Sequence, residues 1–208
     1  GNDRLQIGAV KIFADGALGG RTALMSEPYQ DDRNNFGFEI HGQESLYHIV
    51  SQAKYHNMPV AVHAIGDKAL ENVLTVLDRF PQSKYRDRII HAQILRPDLI
   101  TCLKRGNRIV DIQPRFVVSD FPWVIDRLGD RRLQHAYIWK TMIDSGITCA
   151  GGSDAPVEPI DPLLGIHAAV TRKSPNSDRV RNERERLSIS EAIHLFTAGG
   201  AYATNEEH

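Results

Sequence analysis

Pro59-Val60-Ala61-Val62-His63 is an apolar run ending on an imidazole, and Arg88-Ile89-Ile90-His91 is a second one. Between them, Lys68 to Phe80 carries Leu70, Val73, Leu74 and Leu77 at i, i+3, i+4 and i+7. Short continuous apolar runs read as strands buried on both faces, and the spaced stripe reads as an amphipathic helix, stopped by Pro81. Strand, helix, strand is the sequence form of a parallel sheet with helical crossovers.

The pattern extends in both directions. Upstream, Ile7 to Phe13 reads as a strand, followed by a Gly-rich segment to about Gly42 and a helix over Gln43 to His56. Downstream, Pro97 opens a helix through Lys104, Gly106 ends it, and Arg108 to Ile112 is a fourth strand. An irregular stretch containing Pro114, Pro122 and Trp123 leads to a helix at about Tyr137 to Ser145. Ile147 to Ala150 is a fifth strand. Two more helices are expected, at about Pro162 to Thr171 and Ser190 to Ala203, the last with Ser188-Ile189-Ser190-Glu191 as a capping box.

Five strands are too few to close an eight-stranded barrel, which takes about 250 residues. An open doubly wound sheet or a piece of a barrel remains. No Gly-x-Gly-x-x-Gly follows the first strand, so a dinucleotide-binding sheet lacks its main support.

Composition excludes several partners. Lys+Arg 25 against Asp+Glu 26 leaves no cationic excess to displace counterions from phosphate, so nucleic acid is not expected. No apolar run approaches the roughly 20 residues of a membrane span, and Gly1-Asn2-Asp3-Arg4 lacks the apolar core of a signal peptide. Cys102 and Cys149 are too few for a disulfide framework, which together with the rest implies a reduced, cytoplasmic protein.

Chemistry concentrates at strand ends. Lys11 lies near the end of the first strand, His63 and His91 end the second and third, and Asp154 follows the fifth through Gly151-Gly152-Ser153. In a β/α barrel all strand C-termini open onto one face, so the four would converge there. Imidazole nitrogen and carboxylate oxygen together suit zinc and related divalent ions. Singly, each has an ordinary reading: a hydrogen-bonded structural His, an ion-paired Lys, an Asp capping a turn. Arg21 in the Gly-rich loop and Gln93 and Gln113 near strand ends are candidate substrate contacts. Asp67 reads as a helix N-cap. Phe116, Phe121 and Trp123 could wall a pocket or simply pack under a loop. Arg172 to Arg186, with interspersed acids, reads as a solvated surface segment.

Five segments also resemble a family. Lys11-Ile12-Phe13-Ala14-Asp15-Gly16-Ala17-Leu18-Gly19-Gly20-Arg21-Thr22-Ala23 looks like the central segment of the YtcJ-like branch of the metal-dependent amidohydrolase superfamily, amidohydrolase family 3. His63-Ala64-Ile65-Gly66-Asp67, Ile90-His91-Ala92-Gln93, Asp111-Ile112-Gln113-Pro114 and Gly152-Ser153-Asp154-Ala155-Pro156-Val157 resemble its later motifs in the same order. The resemblance implies a TIM-type (β/α)8 barrel flanked by a β-sandwich, and metal-dependent hydrolysis of amide-type carbon–nitrogen bonds outside ordinary peptides, N-substituted formamides among them. It implies that Lys11 is the strand-four lysine, carbamylated to bind metal, and that His63 and His91 are the strand-five and strand-six ligands. Asp154 is then the strand-eight carboxylate, ligand or base toward the attacking water.

The family's first strand carries a His-x-His pair that this sequence lacks. The expectation is therefore a single partial domain over residues 1–208: strands four to eight, without the first barrel half or the β-sandwich. Such a fragment should hold zinc weakly or not at all, turn over little, and self-associate through its two open strand edges. Two rivals stay open: a Schiff-base aldolase or lyase on Lys11, and a non-catalytic binding or assembly module.

Overall fold

The computed structural model describes residues 4–5, 7–82, 84–121, 123–173 and 180–208. Pro122, Asp178 and Arg179, and the opening Gly1-Asn2-Asp3, lie outside the described residues. Five strands form one all-parallel sheet in sequential order: β1 (Val10–Phe13), β2 (Val60–Ala64), β3 (Asp87–His91), β4 (Arg108–Ile112) and β5 (Cys149–Gly151). Each pairs with the next, in registers that set Phe13 beside His63, His63 beside Ile90, and Ile90 beside Asp111. Within the sheet, β1 and β5 each have a single neighbour.

Alternation along the strands divides the sheet into two faces. Ile12, Val62, Ala64, Ile89, Val110 and Ile112 pack into the main core with the helices, while Ile109 and Ala150 turn the other way. The helices are α1 (Gln43–Tyr55), α2 (Asp67–Leu77), α3 (Pro97–Leu103), α4 (Phe116–Asp120), α5 (Val124–Leu133), α6 (Trp139–Asp144), α7 (Pro162–Thr171), α8 (Ile189–Phe196) and α9 (Ala198–Thr204). Leu46 and Val50 of α1 and Leu70, Val73, Leu74 and Leu77 of α2 are buried, as their spacing requires. Burying each large aliphatic side chain stabilises the fold by about 1.5–3 kcal/mol relative to exposure. Opposite the main core, Ala203 of α9 packs on Ile109 and Ala150.

Several expectations are corrected. The fifth strand begins at Cys149 rather than Ile147. The irregular stretch contains α4 and α5, with Gly129 at φ 68° breaking α5 internally. The last helix is two helices, because Thr197 (φ −123°, ψ −92°) leaves helical geometry between α8 and α9. The capping box forms: Ser188 Oγ accepts from Glu191 N, and the Glu191 carboxylate accepts from Ser188 N. Asp67 is the first residue of α2 and not its cap, which is Gly66. Its carboxylate instead accepts from Ser26 N and from Arg96 Nη1.

The segment from Arg172 to Arg186 is not simply a solvated face. Arg172 is fully buried, its guanidinium donating to the main-chain oxygens of Arg181, Tyr137 and Glu185 and lying over the Trp139 ring. Burial pushes its pKa down to about 10. Among the described residues no helix is long and apolar enough to cross a membrane.

Candidate functional site

The C-terminal ends of the strands carry the site. Between β1 and α1 the Gly-rich segment folds back over this end, held by Asp15, two residues beyond the strand. The fully buried Asp15 carboxylate accepts main-chain N–H groups from Leu24, Ile65 and Gly66 at 2.8–3.0 Å. Burial raises its pKa to about 6 against the pull of those donors. Gly66 lets the segment approach: a Cβ there would lie 1.9 Å from Leu24 O. Leu24 O in turn accepts from Lys68 N and Ala69 N at the start of α2.

His63 and His91 meet at the mouth. Their rings stand edge to face with centroids 4.6 Å apart. His63 Nε2 lies 3.0 Å from Gly16 O and 3.4 Å from Asp15 Oδ1. A carbonyl can only accept, so Nε2 carries the proton and Nδ1 the lone pair. His91 Nδ1 lies 2.7 Å from Gln113 Oε1, and the Phe116 ring stacks on the imidazole at 5.8 Å. Burial lowers both pKa values, that of His91 to about 3 with help from His63. Both rings are therefore neutral at physiological pH, the state in which imidazole ligates metal.

Asp154 faces His91 with Oδ2 4.0 Å from Nε2, too far for a hydrogen bond. Lys11 lies over the Phe13 ring at 4.1 Å and is within electrostatic reach of Asp154, Asp111, His63 and His91. Partial burial lowers its pKa, opposed by the two carboxylates. His63, His91 and Asp154 thus share one end of the sheet, and Lys11, the second residue of β1, lies within electrostatic reach of all three. His91 and Asp154 both adopt left-handed backbone, φ 80° and 55°, a conformation that non-glycine residues hold only where the surroundings enforce it.

In chemistry two neutral imidazoles and a carboxylate suit a divalent cation, and Lys11 stands beside them. In spacing, the His91–Asp154 gap is about twice the ~2.0–2.2 Å bond that zinc makes to nitrogen or oxygen. Among the described residues, however, no three His, Cys, Asp or Glu side chains are arranged to hold one ion. His63 Nε2 is turned to Gly16 O.

The other expected contacts have partners of their own. Arg21 forms a two-bond pair with Asp31 on the surface. Gln93 Nε2 donates to Asp120 Oδ2 and Tyr137 Oη, so its donors are taken. Gln113 is buried with both ends of its amide used. No sequence signal marks Asp120, whose pKa burial raises to about 6, or the Arg88–Asp111 pair at 2.8 Å. Asp15 could have been found from its place two residues beyond a strand end. Phe116 and Phe121 are buried, and the seven remaining histidines are exposed or half-buried.

Comparison with known proteins settles the family. Residues 1–208 match the amidohydrolase family throughout. The chain belongs to that family. It is 54% identical over 200 residues to YtcJ of Bacillus subtilis (strain 168), an amidohydrolase by name, covering 95% of this chain and 38% of that protein. It is 34% identical to the protein LONG AFTER FAR-RED 3 of Arabidopsis thaliana, over 98% of this chain and 36% of the relative. Among solved structures, an uncharacterized metal-dependent hydrolase from Pyrococcus furiosus superposes with a TM-score of 0.89 at 38% identity, covering 100% of this chain and 42% of that one. The chain thus spans well under half the length of these relatives.

Proposed function

We propose that this amidohydrolase-family chain supplies the metal-binding part of a hydrolase acting on small amide- or formamide-type substrates, at carbon–nitrogen bonds other than ordinary peptide bonds. The observation that carries the reading is the 4.0 Å gap between His91 Nε2 and Asp154 Oδ2, at the strand end where Lys11 and His63 also stand. In this reading the sheet is strands four to eight of a (β/α)8 barrel. Sequential parallel order and a site at the C-terminal strand ends support it.

His63, His91 and Asp154 would hold a divalent ion, zinc by the nitrogen-and-oxygen character of the set, with carbamylated Lys11 beside them. When bound, the ion supplies a Lewis acid for the substrate carbonyl and makes water acidic near neutral pH. Asp154, its side chain 42% exposed, is open to solvent and takes the proton from the attacking water, then returns it to the departing amine. Partial burial favours the free amine of Lys11, the form that adds CO2. In that addition Nζ of the neutral amine attacks the CO2 carbon, an Nζ–C bond forms as one C–O π bond opens, one proton leaves Nζ, and the carbamate's single negative charge is shared over two oxygens. Phe116 keeps water from one side of His91.

Turnover by these 208 residues alone is low in this reading, because their donors do not close around one point. The single-neighbour edges β1 and β5 also favour self-association, which light scattering would detect.

The test loads the chain with zinc and 13C-labelled bicarbonate. A carbamate carbon signal lost in Lys11→Ala, together with slow, chelator-sensitive release of formate from an N-formyl amine, supports the proposal. Borohydride trapping of a carbonyl compound on Lys11 without metal would replace it with Schiff-base chemistry. A folded chain that stays metal-free in excess zinc would leave a binding or assembly module.

A further inference from the structure

We infer that Gln113 is a positioning residue: its buried amide fixes the tautomer of His91, so that Nε2 is the lone-pair nitrogen facing Asp154. Gln113 Nε2 donates to the main-chain oxygen of Asp111 at 3.1 Å, and Oε1 lies 2.7 Å from His91 Nδ1. The amide cannot be reversed at low cost. A flip would set Oε1 against the Asp111 carbonyl, two acceptors facing, and leave two buried groups unpaired. The Asp111 carbonyl, which can only accept, thus dictates the amide, and the amide dictates that Nδ1 carries the imidazole proton.

Water does not compete for this chain of bonds, since Gln113 is 6% exposed and His91 4%. The Phe116 ring, stacked on the imidazole at an interplanar angle of 19°, opposes its rotation. With Nδ1 protonated, Nε2 presents its lone pair toward Asp154 Oδ2, 4.0 Å away. The order of elements makes this possible: β3 ends on His91, and Gln113 follows β4, the next strand in the sheet. Partners of this kind commonly orient metal-binding histidines, and losing one costs about 10–100-fold in metal affinity. The inference deepens the proposed function by giving Gln113 a task at that site, and it rests on that reading only for its affinity arm.

The tautomer is read in the metal-free 208-residue chain by two-bond 1H–15N correlation on labelled histidine, at a pH where both imidazoles are neutral. The wild type should show His91 protonated at Nδ1, and Gln113→Glu, whose carboxylate still accepts, should keep that signature. Gln113→Leu should lose it while His63 stays protonated at Nε2, which also shows that the site is still folded. Zinc titration should then find Gln113→Leu weaker by about 10–100-fold and Gln113→Glu close to wild type. An Nε2-protonated His91 in the wild type, or an unchanged tautomer in Gln113→Leu, overturns the inference. Zinc that binds no variant while the tautomers follow this pattern overturns the metal reading and leaves the positioning role standing.

Discussion

The His63 and His91 rings stand 79° apart with centroids 4.6 Å from one another, although the sheet register sets His91 beside Ala64 and not beside His63. By alternation His91 belongs with Ala64 and Ile89 on the helix-facing side. It leaves β3 with φ 80°, and that left-handed residue breaks the alternation and brings the ring to the mouth. Burial lowers the pKa of both imidazoles, and the nearby His63 adds to the lowering at His91.

Acid should therefore weaken the fold through His91. Its folded pKa of about 3 lies below the ordinary 6.5, so between those values the unfolded chain binds the extra proton. Stability falls as pH drops through that window, by about 1.4 kcal/mol per unit. Asp15 and Asp120, raised to about 6, act in the opposite sense between 6 and the ordinary carboxylate value of 3.8. Urea unfolding at two pH values isolates the His91 part. From pH of about 7 to about 5, His91→Leu should lose about 2 kcal/mol less than the wild type. Equal losses would contradict the assignment.

Gly66→Ala should release the Gly-rich segment. The added Cβ would meet Leu24 O at 1.9 Å, forcing apart the bonds from Lys68 N and Ala69 N. We expect a loss of about 2 kcal/mol or more and faster hydrogen exchange at Lys68 and Ala69. Wild-type exchange at those amides in the variant would show that the segment is not held there.

Ser188→Ala removes one half of the capping box at the start of α8. The expected cost is about 1 kcal/mol, read as a lowered urea midpoint with an unchanged slope. Ser188→Asp, which can still accept from Glu191 N, should recover most of it.

Arg172→Met keeps the aliphatic stem and deletes the guanidinium. Three main-chain oxygens that it now serves, on Arg181, Tyr137 and Glu185, would lose their donor. With about 1–3 kcal/mol for each buried group left unpaired, the variant should lose about 3 kcal/mol or more. A loss within about 0.5 kcal/mol, typical of surface positions, would restore the solvated-segment reading.

What was legible in the sequence was what period and punctuation encode. The β2 run is apolar up to His63, β3 and β4 carry Ile89-Ile90 and Ile109-Val110 at their centres, the α2 stripe is strict, and the Ser188–Glu191 spacing specifies its own hydrogen bonds; all of them formed. Missed elements were those that local signals do not mark. The α4–α5 region carries a glycine with positive φ inside a helical stretch, and the α8–α9 break falls at Thr197, which has no breaker residue. At the site, strand-end position brought Lys11, His63, His91 and Asp154 to notice. The partners of Gln93 and Gln113 come from other elements, and no spacing along the chain announces them. The burial of Arg172 was hidden in the same way, because a charge-rich run does not reveal which of its members turns inward.

In the proposed function His91 and Asp154 face each other across the position of a divalent ion. Anomalous diffraction from crystals of the chain grown with zinc tests it most directly. A peak bonded to His91 Nε2 and Asp154 at about 2.0–2.2 Å is expected, absent from His91→Ala crystals. A peak only at other residues, or none in a well-ordered chain, would contradict it.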